Sequence, residues 1–288
     1  MARLLLCLLV SSLLSALAAA LKLSRTQILQ PFVNGNALKV ISGLNNFDQV
    51  NVRNVAWAAN QGGASHVDIA CDAKLVEEVR KVCSLPICVS SVKPADFVAA
   101  IDAGADMVEL GNYDSFYDQG HIFTSADVEA MTKETRRLLP TTPLSVTIPH
   151  TLSLAEQVIL AKRLEELGAD IIQTEGKMGV NPSSMGVQEM IEKAAPTLAS
   201  AFALSRAVSI PVMCASGLTD VTCPLAIAAG ARGVGVGSMV SKLSQPQQML
   251  LAVRAIAESI GRTSVQAGVE QQQAISSSKP NLMSNVQI

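Results

Sequence analysis

The stretch AAGARGVGVGSM, residues 228–239, holds four of the chain's eighteen glycines. It can be read as a dinucleotide-binding loop, a flexible linker, or a helix end followed by a buried strand. The first reading needs G-x-G-x-x-G at the first β-α turn of a nucleotide-binding unit, with an acid about twenty residues later. Here the third glycine is missing and the run sits near the end of the chain. The same pattern also occurs three times earlier, as QGGASHVDIA from Gln61, DAGADMVEL from Asp102 and ELGADIIQTEG from Glu166. Each time a helix ends at Gly-Ala, one or two residues turn, and an apolar strand begins. Glycine supplies the left-handed cap that stops the helix. Gly63, Gly104, Gly168 and Gly230 are spaced about 56 residues apart on average, so each period has room for two β-α units. The glycine run is therefore a strand, the eighth of a series.

The other strands read as LKVISG (from Leu38), HVDIA (His66), ICVSS (Ile87), MVELGN (Met107), LSVTIP (Leu144), DIIQTEG (Asp170) and VMCASG (Val212), with GVGVGS from Gly233 closing the set. Stretches of 3.6-residue period follow them, such as AKLVEEVRKV from Ala73 and LAEQVILAKRLEELG from Leu154. Pro86, Pro143 and Pro211 fall at strand entry, where a missing N–H is tolerated. Eight strands alternating with helices predict a single closed (β/α)8 TIM barrel over residues 37–260, of the phosphate-binding type. An open doubly wound sheet is the main rival. Residues 261–288, polar and aperiodic, read as a disordered tail.

The chain has 288 residues, 49% of them apolar, enough for a large core. With one Trp, two Tyr and six Phe, the aliphatic residues must do the packing. A net charge of −2 gives no support for a nucleic-acid partner. Residues 1–20, with LLLCLLVSSLLSALAAA after MAR, are too short for a comfortable membrane span and read as a signal peptide; an uncleaved anchor is the alternative. No acid precedes Asp48, while Arg3, Lys22, Arg25 and Lys39 do, so residues 21–36 read as a short transit-like lead-in. That combination predicts plastid import, with secretion as the alternative, and no transmembrane segment in the mature chain. Cys71, Cys83, Cys88, Cys214 and Cys223 show no disulfide or metal spacing and read as small core residues.

Barrels place chemistry at the C-terminal ends of their strands, with a phosphate site commonly after strands seven and eight. CASGL (214–218) and GVGS (235–238) lie there, so Gly217, Leu218, Gly237 and Ser238 are the candidate phosphate-binding residues. A helix starting near Ser238 would add its N-terminal dipole. The alternative is that these glycines only permit tight packing. Strand alternation turns Asp68, Ser90, Glu109, Thr147, Gln173 and Glu175 inward. Three carboxylates in one mouth repel, so at least one should be protonated, paired or metal-bound. Lys93 and Lys177 are the nearest candidate cations. Glu109, Glu175, Asp68 and Lys177 are thus the catalytic candidates for acid-base chemistry, or else parts of a structural polar network. Ser90, Lys93, Asn112, Thr147 and His150 are candidate ligand contacts. Lys39 lies roughly 13 Å below the mouth, at about 3.3 Å per residue, which argues against a Schiff-base role and for a structural one at the closed end. His66 opens its strand at that end, and no histidine pair has metal spacing. The loop GNYDSFYDQGHIF (111–123) could close over a ligand or pack on the rim.

The segments LKVISGLNNFD, ELGNYDSFYDQG, LSVTIPHTLSL, DIIQTEG, EKAAPTLASAFALSRAV and PVMCASGLTDVTCPLAIAAGARGVGVGSMV, in this order, resemble the hypothetical chloroplast frame 23 family. The resemblance runs from about Leu38 to Leu243. It implies a TIM-type barrel and a plastid location, and it implies no activity. The leading expectation is a barrel that binds a small phosphorylated metabolite, with lyase- or isomerase-type acid-base chemistry on it. The alternatives are a regulatory or partner-binding barrel and an FMN-binding oxidoreductase, the latter disfavoured by the few aromatics available to stack a flavin. No cofactor or metal is required by the sequence. Ala-rich helices could form a homo-oligomer interface, but nothing specifies one.

Overall fold

The recurring Gly-Ala-x element sets the spacing of the whole fold. A computed structural model describes residues 23–262 apart from 112, 118 and 177–181. Its strands are β1 (Ala37–Ile41), β2 (His66–Ala70), β3 (Ile87–Ser91), β4 (Met107–Leu110), β5 (Leu144–Ile148), β6 (Ile171–Thr174), β7 (Val212–Ala215) and β8 (Gly233–Val236). All pair in parallel with their sequence neighbours, and β8 returns to β1 to close the barrel. The closed sheet is the one expected, and the doubly wound alternative is excluded.

The helices are α1 (Arg25–Asn34), α2 (Gln49–Gly62), α3 (Ala73–Arg80), α4 (Asp96–Asp102), α5 (Asp114–Tyr117), α6 (Ser125–Leu138), α7 (Leu154–Glu166), α8 (Val187–Leu204), α9 (Cys223–Ala228), α10 (Ser238–Ser241) and α11 (Pro246–Ser259). Asp48 and Asp72 cap α2 and α3 with side-chain bonds, and Ser24, Thr124 and Ser153 open capping boxes at α1, α6 and α7. Gly63, Gly104, Gly168 and Gly230 all take the left-handed conformation after their helices, with φ between 89° and 110°. No described helix is long and apolar enough to cross a membrane. The five cysteines among the described residues are free thiols, four buried and Cys71 half-buried.

The residue after Gly-Ala has a specific task at the closed end of the barrel. Asp106 accepts the Ile87 amide at 2.8 Å and pairs with Arg80. Asp170 accepts the Leu144 amide at 2.8 Å and Arg136 at 2.6 Å, and also binds Arg25. Ser65 does the same for the Leu38 amide at 2.9 Å. Each side chain thus satisfies an N–H where the preceding strand enters the sheet. Asp170→Ala is expected to lower stability by about 2 kcal/mol, since it leaves that amide unpaired, whereas Asp170→Asn keeps an acceptor and loses less. Urea denaturation of the two variants reads the difference.

The structure departs from the sequence reading at both ends of the domain. Residues 25–34, read as part of a lead-in, form α1, a helix under the barrel floor. Its Ile28 and Phe32 pack with Ala37, Cys88, Met107, Ile171 and Met213, the apolar lower filling of the barrel. Leu23, Ile28, Leu29 and Phe32, at successive intervals of five, one and three residues, make too short a stripe to stand out beside an acid-free, Ser- and Asn-containing stretch. At the other end Arg262, assigned to the tail, is buried and donates to the carbonyls of Gly63 and Asn36. Residues 1–22 and 263–288, with the signal-peptide reading and the rest of the tail, lie outside the described residues.

Candidate functional site at the barrel mouth

The outer face of every strand meets helices, so its polar residues turn inward, and the interior holds two polar groups at different depths. The deeper group is built on β1 to β6. Lys39 forms an ion pair with Glu109, and both side chains are 0% exposed. Glu109 also accepts from Gln173 Nε2 at 2.7 Å, and the same nitrogen donates to Thr147 Oγ1 at 3.1 Å. Ser90 donates to Asp68 Oδ1 at 2.7 Å. Gly111 is required here, because a Cβ at that position would lie 2.0 Å from Thr147 Oγ1.

Two expectations are corrected by this arrangement. Lys39 sits at the closed-end level of its register partner His66 and has a structural role, but its four-carbon stem carries the ammonium away from that end and across the barrel to Glu109 on β4. For Glu109 and Asp68 it also supplies the counter-charge that the sequence assigned to Lys93. Lys93 is exposed and makes no ion pair among the described residues. Lys177 and Asn112 lie outside the described residues. The inward direction of Lys39 was available from the sequence, because Leu38 and Val40 flank it as outward apolar residues.

Charge is strongly biased in this interior. Burial alone would favour the neutral amine of Lys39, but Glu109 and then Asp68 outweigh it and hold the ammonium charged. Burial pushes the Asp68 carboxyl up to about 7; Lys39 opposes the rise, Glu109 adds to it and the Ser90 hydrogen bond opposes it. Asp68 Oδ2, Gln173 Oε1, Ser145 Oγ and Ser42 Oγ are buried and have no protein hydrogen-bond partner among the described residues. Polar atoms in such a state call for a bound molecule or solvent.

The upper group joins three successive βα turns. Glu175, just after β6, accepts from the amide of Asp114 at 3.0 Å, the Tyr117 hydroxyl at 2.7 Å, and the amide and Nδ1 of His150 at 3.1 Å each. His150 Nδ1 also lies 3.6 Å from Asp114 Oδ1, and the Tyr117 ring meets the imidazole edge-on at 4.8 Å. The acids expected to converge are therefore sorted, Glu109 and Asp68 in the lower group and Glu175 in the upper. The loop after β4 packs rather than hovers: Tyr113 and Phe123 stack at 4.5 Å, both buried, with Phe116 at 5.7 Å from Phe123. Asp114 and Tyr117 were missed as site residues because only the fold of this loop brings them to Glu175.

At the β7 and β8 ends, Ala215 and Gly235 are register partners, so the turns that follow lie side by side on the mouth rim. The amides of Gly217, Leu218 and Gly237 donate to no backbone carbonyl among the described residues. Ser238 is exposed and opens α10. Ser216, with φ 81°, is the one described non-glycine residue with positive φ, a strained conformation of the kind that gathers at ligand sites. Gly217 also serves packing, since a Cβ there would lie 2.7 Å from the Lys193 carbonyl of α8. A cleft of about 350 Å³ between Phe32, Val33, Ile210 and Arg232 lies at the opposite, closed end and holds none of these groups. His66 is a floor residue. Its Nε2 meets the Ile28 carbonyl at 2.9 Å, and burial pushes its pKa down to about 3.

Solved structures with the same fold include thiamine phosphate pyrophosphorylase from Pyrococcus furiosus (18% identity, TM-score 0.52, covering 79% of this chain and 96% of that one). A 3-hexulose-6-phosphate synthase matches at 14% identity and TM-score 0.56, over 78% of this chain and 100% of the other. The geranylgeranylglyceryl phosphate synthase of Thermoplasma acidophilum, solved with sn-glycerol-1-phosphate, matches at 13% and 0.53, over 82% and 97%. At these identities the likeness is one of fold. Sequence relatives are much nearer. The "Uncharacterized protein ycf23" of Cyanophora paradoxa is 48% identical over 79% of this chain and 94% of its own length. That of Porphyra purpurea is 39% identical over 79% and 86%. The profile of the family described as "Protein of unknown function (DUF561)" matches residues 23–266. The chain belongs to the DUF561 family, and its ycf23 relatives bear out the resemblance carried by its motifs.

Proposed function

We propose that the barrel mouth binds a small phosphorylated metabolite, with its phosphate on the β7 and β8 turns and its body directed down the barrel axis toward Asp68. The observation that carries this reading is the pairing of β7 with β8, which sets the glycine turns at 217–218 and 237–238 on one rim above an interior of unpartnered polar atoms. Backbone N–H groups bind a dianion without a basic side chain, and Ser238 adds a hydroxyl. The three structural neighbours are each named for a phosphate compound, which supports the class of ligand. Among the carboxylates, Glu109 is committed to Lys39 and Gln173, and Glu175 to four donors. Asp68 keeps one oxygen without a partner and a pKa raised to about 7, and so suits proton exchange with a bound ligand. The chemistry is then lyase- or isomerase-type, needing no redox cofactor. We place the protein in a plastid, on the strength of its family resemblance.

The test is thermal shift against a panel of sugar phosphates, triose phosphates and inorganic phosphate. A ligand at a hundred times its Kd should add about 2.7 kcal/mol of stability. Ser238→Asp sets a negative charge at an exposed turn position that tolerates it, and should weaken that ligand at least about tenfold, equivalent to about 1.4 kcal/mol. Full retention of affinity in this variant would remove the phosphate from the β7/β8 rim. Asp68→Asn should keep the ligand and lose turnover.

A further inference from the structure

We propose that Asp114, His150 and Glu175 form a binding site for one divalent cation of the Mn²⁺ to Zn²⁺ range, at the mouth and on turns other than those of the phosphate reading. The three side chains come from the turns after β4, β5 and β6. Their nearest ligand atoms all lie within 4.8 Å of one another. His150 Nδ1 stands 3.1 Å from Glu175 Oε2 and 3.6 Å from Asp114 Oδ1. A cation with bonds of about 2.1 Å sets neighbouring donors about 3.0–3.4 Å apart and opposite donors about 4.2 Å apart. The imidazole is therefore spaced to share an ion with each carboxylate, and the two carboxylates, within 4.8 Å of each other, close around it by side-chain rotation. Two oxygen donors and one imidazole suit Mn²⁺ or Zn²⁺ over a soft ion.

Two of the four groups that hold Glu175 are backbone amides and one is the Tyr117 hydroxyl. They aim the carboxylate without neutralising it, which is what fixed metal-binding carboxylates need. The fourth is His150 itself, and on cation binding its Nδ1 gives its proton to solvent and its lone pair to the ion. Among the described residues no Lys or Arg pairs with the buried Glu175, so its charge has the imidazole as its sole ion-pair partner there.

A separate observation comes from Tyr113. This residue is fully buried and its hydroxyl has no partner among the described residues. Tyr113 directly precedes Asp114 in the turn after β4, and a buried phenol without a protein partner calls for a water or ligand oxygen. Three protein donors leave the remaining positions of a six-coordinate ion for such oxygens.

The test uses the full chain, stripped with chelator and titrated with Mn²⁺, with the free ion followed by electron paramagnetic resonance. One Mn²⁺ per chain should bind saturably below millimolar concentration. Asp114→Asn and His150→Gln should each weaken it at least about tenfold. Ser238→Asp should leave it unchanged, which separates this site from the phosphate rim. Inorganic phosphate binding, measured without metal, reports on that rim alone. Spin-echo modulation of the wild-type complex should show a single imidazole nitrogen, a readout that does not depend on any variant folding. No saturable binding at millimolar Mn²⁺, binding that both folded variants retain in full, or a bound ion without nitrogen coupling would each overturn the proposal.

Discussion

Lys39→Met is expected to lower stability by about 3–5 kcal/mol, the cost of leaving a buried carboxylate without its counter-charge. Lys39 and Glu109 are both fully enclosed, and the ammonium is also the main cationic influence on Asp68. Without it, two carboxylates face each other across an interior with no other described cation in contact. They will take up protons, and the loss should therefore grow as pH rises. The double variant Lys39→Met/Glu109→Gln leaves no unpaired charge from this pair and should recover most of the stability, because a buried ion pair itself adds little over neutral groups of similar shape. Urea denaturation of the wild type, both single variants and the double variant gives the coupling directly. A single-variant loss under about 1 kcal/mol would mean that water or structural adjustment already screens Glu109.

Asp68 gives the second large effect, and its sign is opposite to that of most carboxylates. Its folded pKa, raised to about 7, lies above the ordinary value of 3.8. The folded state therefore holds a proton that the unfolded chain releases between those two values. The stabilisation from this group is complete below the unfolded value and disappears as pH climbs through about 7. Between pH 5 and pH 8 the wild type should lose about 2–3 kcal/mol relative to Asp68→Asn, which cannot ionise. Comparing the two proteins at each pH removes the contributions of all other carboxylates. If their stability difference is flat across this range, Asp68 is ionised throughout and cannot be the proton-exchanging group of the proposed chemistry.

Local periodicity is what made the barrel legible. All eight strands start within one residue of the positions read from alternation and Gly-Ala turns, since these signals depend on neighbours a few residues apart. The same alternation gave the inward direction of Asp68, Glu109, Thr147 and Gln173. α1 was not legible, because its apolar stripe has meaning only against a barrel floor assembled from Met107, Ile171 and Met213. The task of Asp106 and Asp170 was equally hidden, although the repeat that carries them was plain.

The sequence by itself determined the number and order of the strands, the faces of their side chains, the glycine turns and the family. Tertiary structure alone decided which inward residues meet. Lys39 reaches Glu109 from seventy positions away, and Asp114 reaches Glu175 from sixty-one. Such partners are fixed by barrel closure, strand stagger and side-chain length, and none of these leaves a periodic trace along the chain.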